Sequence, residues 1–119
     1  MPTALVSGIT GQDGSFTAEL LLRRGYDVYG IVRRTSSPNL GNIAAIVPQI
    51  RLLDADLSDQ RSLDRAVEES RPDEVYNFAA QSFVGSSFAQ PELTADITGV
   101  GAVRLLEAVR QHARNARFY

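Results

Sequence analysis

Short apolar runs alternate with amphipathic stretches along nearly the whole chain. The runs predict strands at residues 3–6, 27–32, 50–54 and 74–78, and the first residues of a fifth strand at 117–119. Between them, apolar residues at helical spacing predict three helices, at residues 15–24, 59–70 and 92–113. Residues 35–48 are polar and then weakly apolar, and we predict a loop there with room for one helical turn.

The spacing inside each helix also predicts which side chains share a face. Gly25 and Pro72 stand just beyond the first and second helices, where such residues commonly end a helix. The expected apolar faces are Phe16, Leu20 and Leu21 in the first helix, Leu63, Ala66 and Val67 in the second, and Leu93, Ile97, Val100 and Val103 in the third, which carries Leu105, Leu106 and Val109 on another side.

Strands that alternate with helices predict right-handed crossovers and a parallel sheet. We therefore expect a single doubly wound α/β domain over residues 1–119, the first part of a Rossmann fold that ends at the start of its fifth strand. Such sheets bind ligands beyond the carboxyl ends of the strands, where the strand order reverses. The usual winding puts that point between strands one and four, just after Val6 and Phe78.

Composition narrows the class of function. The chain has 119 residues, 44% apolar and 22% charged, which suits one globular domain. A net charge of -2 argues against a nucleic-acid partner, and the lack of cysteine with only one histidine argues against a metal site. No apolar run approaches about 18 residues and no secretory signal is visible, so we expect no membrane partner and a cytoplasmic location.

Three glycines, Gly8, Gly11 and Gly14, follow the first strand at every third residue. We interpret them as a phosphate cradle, in which one glycine makes the turn, one lets a pyrophosphate touch the backbone, and one lets the helix pack on the strand. The alternative is a plain glycine-rich turn between strand and helix. Asp13 is better explained as a first-turn acid or cap than as a ligand contact. The candidate cradle comprises Gly8, Ile9, Thr10, Gly11, Gln12, Asp13 and Gly14.

The second strand ends in Arg33 and Arg34, followed by Thr35 and Ser36, where an NAD-binding domain would carry an acid for the ribose. Arginine forks and hydroxyls suit an additional phosphate, so we predict that the cofactor is NADP. The alternative is a solvated basic pair like Arg23 and Arg24.

Two further segments follow strands at the same edge of the predicted sheet. Asp56 could accept a hydrogen bond from an adenine amino group while Leu57 covers the ring, although Asp56, Ser58 or Asp59 could instead cap the next helix. After the fourth strand, small and polar residues would let ribose and phosphates lie against the backbone. These residues are Phe78, Ala79, Ala80, Gln81 and Ser82.

Together, the stretches "GITGQDGS", "GIVRRTSS", "DADLSD", "PDEVYNFAAQS" and "QPELTADITGVGAVRLLEAVR" resemble the extended short-chain dehydrogenase/reductase family, most closely its GDP-mannose 4,6-dehydratase branch. The resemblance implies cofactor contacts at Gly8 to Asp13, Arg33 to Ser36, Asp56, Leu57 and Phe78 to Ser82, and near Leu93. That branch usually has tyrosine at the position of Leu93, histidine at the position of Phe83 and a longer loop after Ser36. These three differences keep open the alternative that the protein is a relative acting on another nucleotide sugar.

The resemblance also implies an activity. It is loss of water from GDP-mannose to give a 4-keto-6-deoxy sugar, with enzyme-bound NADP accepting a hydride and returning it. The family's catalytic residues lie beyond the fifth strand, so we assign no catalytic residue to this chain and expect it to be inactive alone. The alternatives are a related NADP-dependent epimerase or reductase of another nucleotide sugar, and a non-catalytic NADP-binding module.

Apolar residues on two sides of helix 92–113 suggest a partner surface. The resemblance implies homo-oligomers, dimers or tetramers, paired through helices in this region. The alternative is a helix wholly buried between the sheet and other segments.

Overall fold

A computed structural model describes residues 1–33, 39–79 and 95–119 of the chain, with Ala95 described by its backbone only. Five parallel strands form one sheet in the order β3-β2-β1-β4-β5. The strands are β1 (Thr3–Ser7), β2 (Asp27–Val32), β3 (Arg51–Asp54), β4 (Glu74–Asn77) and β5 (Arg117–Phe118). The helices are α1 (Gln12–Arg23), α2 (Gln60–Ser70) and α3 (Gly101–His112), with a π-helical turn at Ala95–Val100 and short 3₁₀ turns at Gly41–Ile43 and Val47–Gln49.

This strand order confirms the predicted doubly wound fold. β1 pairs with β2 on one side and with β4 on the other, so the direction of winding reverses between β1 and β4. Ser7 at the end of β1 is paired with Asn77 at the end of β4. The carboxyl ends of these two strands therefore open side by side, where such sheets bind ligands.

Each face of the sheet has its own apolar core. On one face, α2 and α3 cover a cluster centred on Leu5, Val75 and Leu105, and the predicted inward side chains of α2 (Leu63, Ala66 and Val67) are buried there. On the other face, α1 and the 3₁₀ turns cover Val6 and Ile9. Within the described ranges, no helix is long and apolar enough to cross a membrane.

The predicted buried face of α1 is wrong in part. Leu21 is buried, but Phe16 is 60% exposed and Leu20 is 46% exposed. The residues that face the sheet from the first turns are small, Gly14, Ser15 and Ala18. Small side chains let this helix end approach β1 closely, and that approach rotates the larger apolar residues outward.

The third predicted helix is not regular over its whole length. Its described part begins with the π-helical turn, and only then continues as α3. Because π-helical hydrogen bonds join residues five apart, the turn breaks the continuity of the α-helical stripe. The buried side is therefore Gly101, Leu105, Ala108 and Val109, whereas Val100 is 49% and Val103 62% exposed. Leu93 lies outside the described residues.

The segment between β2 and β3 contains two short 3₁₀ turns instead of one helical turn. Ile43 and Ile46 are buried there against the α1 side of the sheet. Asn42 donates a hydrogen bond from Nδ2 to the carbonyl oxygen of Thr10 at 2.9 Å, which links this segment to the glycine turn.

Candidate functional site

A cleft of about 360 Å³ opens at the carboxyl ends of the strands, at the reversal of winding. Four segments singled out in the sequence contribute to it, and the π-helical turn adds Ile97. The predicted site residues that line the cleft are Gly8, Thr10, Gly11, Arg33, Asp56, Leu57, Phe78 and Ala79. Predicted site residues Arg34, Thr35, Ser36, Ala80, Gln81, Ser82 and Leu93 lie outside the described residues.

Gly8 and Gly14 are required by the fold itself. Gly8 has φ +69°, and a Cβ there would lie 2.7 Å from the backbone carbon of Phe78. A Cβ on Gly14 would lie 2.1 Å from the carbonyl oxygen of Gly8. Any side chain at either position would collide with backbone. These two glycines thus make the turn and allow the helix to pack on it, which are two of the three roles predicted for the triplet.

Gly11 differs from its neighbours. Its backbone, with φ -79° and ψ 177°, is one that any residue adopts. A Cβ there would approach only the carbonyl oxygen of Gly8, at 3.3 Å, and the residue is exposed at the mouth of the cleft. The fold therefore demands glycine less strongly here than at Gly8 or Gly14, since a Cβ would require the Gly8 carbonyl to shift by only a few tenths of an ångström. A side chain at this position would instead occupy space in front of the first turn of α1.

The start of α1 has the properties of an anion site. Gly11 is the N-cap and supplies no side-chain hydrogen bond to the helix. The first N–H groups of a helix lack intrahelical partners and carry partial positive charge. Asp13 stands in the first turn, as predicted for a first-turn acid, and Gln12 and Asp13 are exposed.

Ile9 lies between the glycines but points away from the cleft. Its side chain is fully buried and packs on β2, where a Cβ at Gly30 would lie 2.5 Å from the Ile9 Cδ1 atom. Only the backbone of Ile9 is therefore placed to meet a ligand.

Ser7 and Asn77 hold the ends of β1 and β4 together, and sequence reasoning missed both. The buried Ser7 hydroxyl donates to Asn77 Oδ1 at 2.5 Å and accepts from the Ala79 N–H at 3.3 Å. This pair ties the first residues after β4 to the end of β1. A polar residue at the end of an otherwise apolar strand is the signal that could have identified Ser7.

Arg33 is exposed at the end of β2 and lines the cleft. It also lines a neighbouring hollow of about 420 Å³, which lies along β3 and α2 and includes Asp54, Arg65 and Glu69. Arg33 is thus the described residue of the predicted basic segment that could reach a bound anion.

The loop after β3 combines capping with exposure to the cleft. Asp59 is the N-cap of α2 and accepts from the Arg61 N–H at 3.2 Å. Asp56 Oδ1 accepts from both the N–H and the hydroxyl of Ser58, at 2.9 and 2.8 Å. Within the described ranges, Asp56 Oδ2 has no hydrogen-bond partner. Leu57 is only 4% exposed, so most of its side chain belongs to the core.

Arg104 on α3 is the second site feature that sequence reasoning missed. Its guanidinium donates to the carbonyl oxygen of Leu57 at 2.8 Å and to Asp96 Oδ1 at 2.6 Å. The hydrogen bond from Arg104 lowers the pKa of Asp96, which keeps that carboxylate ionised. The contact therefore joins the loop after β3 to the π-helical turn.

Tyr26, just before β2, and Tyr76 on β4 do not line this cleft. Tyr26 and Tyr76 both donate to the carboxylate of Glu74, at 3.0 and 2.7 Å, and the Tyr76 ring stacks on Tyr119. Burial and the hydrogen bond to Glu74 raise the pKa of Tyr76, so its hydroxyl stays protonated. These contacts are those of a structural cluster on the α1 face.

Solved structures share this architecture. UDP-glucose 4-epimerase from Brucella ovis in complex with NAD superposes with a TM-score of 0.82 and 28% identity, over 99% of this chain and 34% of that one. The Thermus thermophilus enzyme of the same name, also in complex with NAD, gives 0.78 and 33%, over 92% and 34%. The fold is thus a Rossmann fold of the extended short-chain dehydrogenase/reductase type.

The sequence comparison is more specific. The family model for GDP-mannose 4,6 dehydratase matches residues 5–119. The GDP-mannose 4,6-dehydratase of Yersinia enterocolitica serotype O:8 is 49% identical over 128 aligned positions, covering 100% of this chain and 34% of the relative. The human GDP-mannose 4,6 dehydratase is 50% identical over 115 positions, covering 90% and 31%. The chain belongs to the GDP-mannose 4,6-dehydratase family, and it spans about a third of the length of these relatives.

Proposed function

We propose that the cleft holds NADP tightly and that this chain is the cofactor-binding part of an enzyme that converts GDP-mannose to GDP-4-keto-6-deoxymannose. The observation that carries the proposal is Gly11. It is exposed in the cleft at the N-terminus of α1, in a conformation that does not require glycine. A pyrophosphate against the backbone explains why a side chain is absent at the position of the triplet where the fold demands glycine least.

The residues of the cleft fit a dinucleotide. The first turn of α1 offers the pyrophosphate N–H groups that have no partner within the helix, and Gly8, Thr10 and Gly11 line the cleft beside them. On one side, Asp56 Oδ2 can accept from an adenine amino group. On the other side, Phe78 and Ala79 form the start of the wall beyond β4, and we propose that Ala80, Gln81, Ser82 and Leu93 extend it.

The proposed preference for NADP rests on the end of β2. Arg33 borders the cleft where an NAD-binding domain carries an acid, and Arg34, Thr35 and Ser36 follow it in sequence. A guanidinium can make charge-assisted hydrogen bonds to a ribose 2′-phosphate. The two superposed epimerases hold NAD. The basic segment is thus the feature by which this chain would favour the additional phosphate.

When bound, NADP would supply reversible hydride transfer, the redox chemistry that the dehydration requires. The chain's own residues would bind and orient this cofactor. The N-terminus of α1 would hold the pyrophosphate, Arg33 would hold the 2′-phosphate, and Leu57 and Ile97 would supply the apolar part of the lining. We assign no catalytic residue to this chain, and we propose that other parts of the enzyme supply the groups that move protons on the sugar.

The sequence relatives favour a dehydratase over an epimerase. The relatives named GDP-mannose 4,6-dehydratase are about 50% identical to this chain, whereas the two superposed epimerases are 28% and 33% identical. The deciding experiment is incubation of the full-length protein with NADP and either GDP-mannose or UDP-glucose. We expect a 4-keto-6-deoxy sugar from GDP-mannose only. Epimerised UDP-glucose would favour the epimerase, and NADP binding without either product would favour a binding module.

We also propose a homo-oligomer in the cytoplasm, with α3 at the subunit interface. Val100 at the end of the π-helical turn, and Val103 and Leu106 of α3, recur at three-residue spacing and are exposed, Leu106 to 45%. Val109 is buried in the core, so a charge there would report on folding and not on association. Light scattering of the Val103→Glu variant is the appropriate test. We expect a smaller oligomer than the wild type, and a wild-type monomer at micromolar concentration would contradict the proposal.

A further inference from the structure

One guanidinium spans two walls of the cleft. Arg104 donates from Nη1 to the carbonyl oxygen of Leu57 at 2.8 Å and from Nη2 to Asp96 Oδ1 at 2.6 Å. Leu57 itself lines the cleft, and Asp96 is followed directly by Ile97, which lines it from the π-helical turn. A single side chain therefore bridges the loop after β3 and the π-helical turn.

The surroundings of Arg104 restrict its geometry. Its side chain is only 23% exposed, so solvent competes little for its donors. Gln60, the first residue of α2, donates from Nε2 to the Arg104 carbonyl oxygen at 2.9 Å and to Asp64 at 3.1 Å. Helix α2 therefore anchors the backbone of Arg104 through Gln60. The Arg104 side chain in turn anchors the loop that precedes α2.

The Arg104 bridge matters because one of its two ends, Asp96, lies in the π-helical turn. Single π-helical turns are rare, and they occur frequently at functional sites. Apart from Arg104, close packing joins α3 to the loop at Gly101, where a Cβ would lie 2.8 Å from the Leu57 Cβ atom. Packing sets how near the two elements come. The Arg104 guanidinium also fixes their relative orientation. Its two Nη donors are rigidly placed, so the Leu57 carbonyl and the Asp96 carboxylate must lie on either side of it.

We propose that Arg104 is a positioning residue for the adenine half of the dinucleotide. It touches no ligand. It acts by fixing the backbone of Leu57, and with it the neighbouring Asp56 carboxylate, relative to the wall formed by Ile97. This inference rests on the proposed function, since it assumes that the cleft binds a dinucleotide.

The test compares two arginines of the same helix in the full chain. Arg104→Met removes the bridge, and Arg110→Met is the matched control, since Arg110 pairs with Glu107 on the exposed side of α3, where Gln111 also donates to that carboxylate. Calorimetric titration with NADP and with 2′,5′-ADP, which carries the adenine half alone, measures affinity, and thermal unfolding measures stability separately. Arg104→Lys keeps the charge but has one ammonium group for two partners.

We expect Arg104→Met to bind both ligands about tenfold more weakly than the wild type, Arg104→Lys to fall between them, and Arg110→Met to bind normally. Equal weakening for NADP and 2′,5′-ADP would place the effect on the adenine half. A merely structural role would lower the unfolding temperature and leave affinity unchanged at temperatures where every variant is folded.

Normal affinity of Arg104→Met, or an equal loss in Arg110→Met, would overturn the positioning role. If Arg104→Met does not fold, Asp96→Asn decides. It weakens only the π-helical end of the bridge, and we expect about threefold weaker binding, so unchanged binding would overturn the inference. A wild type that binds neither ligand would instead contradict the proposed function.

Discussion

The two walls of the cleft are built in different ways. The wall at the start of α1 is made of backbone, and its geometry is set largely within Gly8–Gly14, by the positive φ of Gly8 and the close contact of Gly14 with Gly8, while Gly8 also lies against the backbone of Phe78. The opposite wall is made of the loop after β3 and the π-helical turn, which Arg104 joins from 47 residues and 8 residues away in the sequence. The first wall is thus shaped mostly by neighbouring residues in the sequence, whereas the second depends on side-chain hydrogen bonds between separate segments.

Because of this difference, substitutions in the two walls should affect ligand binding and stability differently. In the glycine turn, the fold and the proposed ligand make separate demands, since Gly8 and Gly14 serve the fold and Gly11 leaves room in the cleft. At the other wall the same residues serve both, because Leu57 belongs to the core and also lines the cleft. Substitutions should therefore separate binding from stability at the first wall more cleanly than at the second.

The largest expected effect comes from Gly14→Ala, with Gly99→Ala as the matched control. The new Cβ at position 14 would meet backbone at 2.1 Å, whereas nothing lies within 4 Å of one at position 99. We expect Gly14→Ala to lose about 3 kcal/mol of unfolding free energy and Gly99→Ala to lose none. Chemical denaturation measures both. Equal stability of the two variants would contradict the close packing described for α1.

Gly11→Val should affect NADP binding more than stability, in contrast to Gly14→Ala in the same turn. We expect NADP binding to become undetectable, because the side chain would fill the space proposed for the pyrophosphate. The cost in stability should be about 1 kcal/mol or less, since the backbone there suits any residue. Calorimetry paired with denaturation measures the two effects. Normal NADP affinity in this variant would rule out the cradle.

Arg33→Ala tests the end of β2, with Arg23→Ala at the far end of α1 as the control. Loss of a charge-assisted hydrogen bond to the 2′-phosphate should weaken NADP binding about tenfold and leave NAD binding unchanged. Titration with both dinucleotides measures this. If Arg33→Ala weakened NADP and NAD equally, the residue would not be reading the 2′-phosphate.

The smallest effect concerns the exposed ion pair of α3. Hydrogen bonds from Arg110 and Gln111 lower the pKa of Glu107 from 4.5 to about 2. A carboxylate with a depressed folded-state pKa contributes stability above about pH 4.5 that is lost as the pH falls toward 2. Because the pair is exposed, Glu107→Gln should alter thermal stability only slightly near pH 7, and added salt should reduce the difference. A large change that resisted salt would contradict this account of the pair.

The strands and α2 could be predicted from the sequence because their signals are local. Each strand is a short apolar run, and the inward residues of α2 follow helical spacing without interruption. The alternation of strands and helices then determined the winding and placed the cleft. The same local character made the glycine turn recognisable before its geometry was known.

The errors lie where tertiary contacts override local spacing. Phe16 and Leu20 are exposed because the start of α1 approaches β1 through Gly14 and Ala18, a feature that apolar spacing does not reveal. The π-helical turn interrupts the stripe of the last helix, which apolar spacing does not reveal. The role of Arg104 depends on the Leu57 carbonyl, a backbone group whose position no motif encodes.

The most direct test of the central claim is titration of the wild-type protein, freed of bound nucleotide, with NADP and with NAD at the same ionic strength. The account predicts that both bind in the cleft, one molecule per chain, and that NADP binds at least about tenfold more tightly because of the basic end of β2. Equal affinities would contradict the NADP preference, and no binding of either dinucleotide would contradict the cofactor site itself.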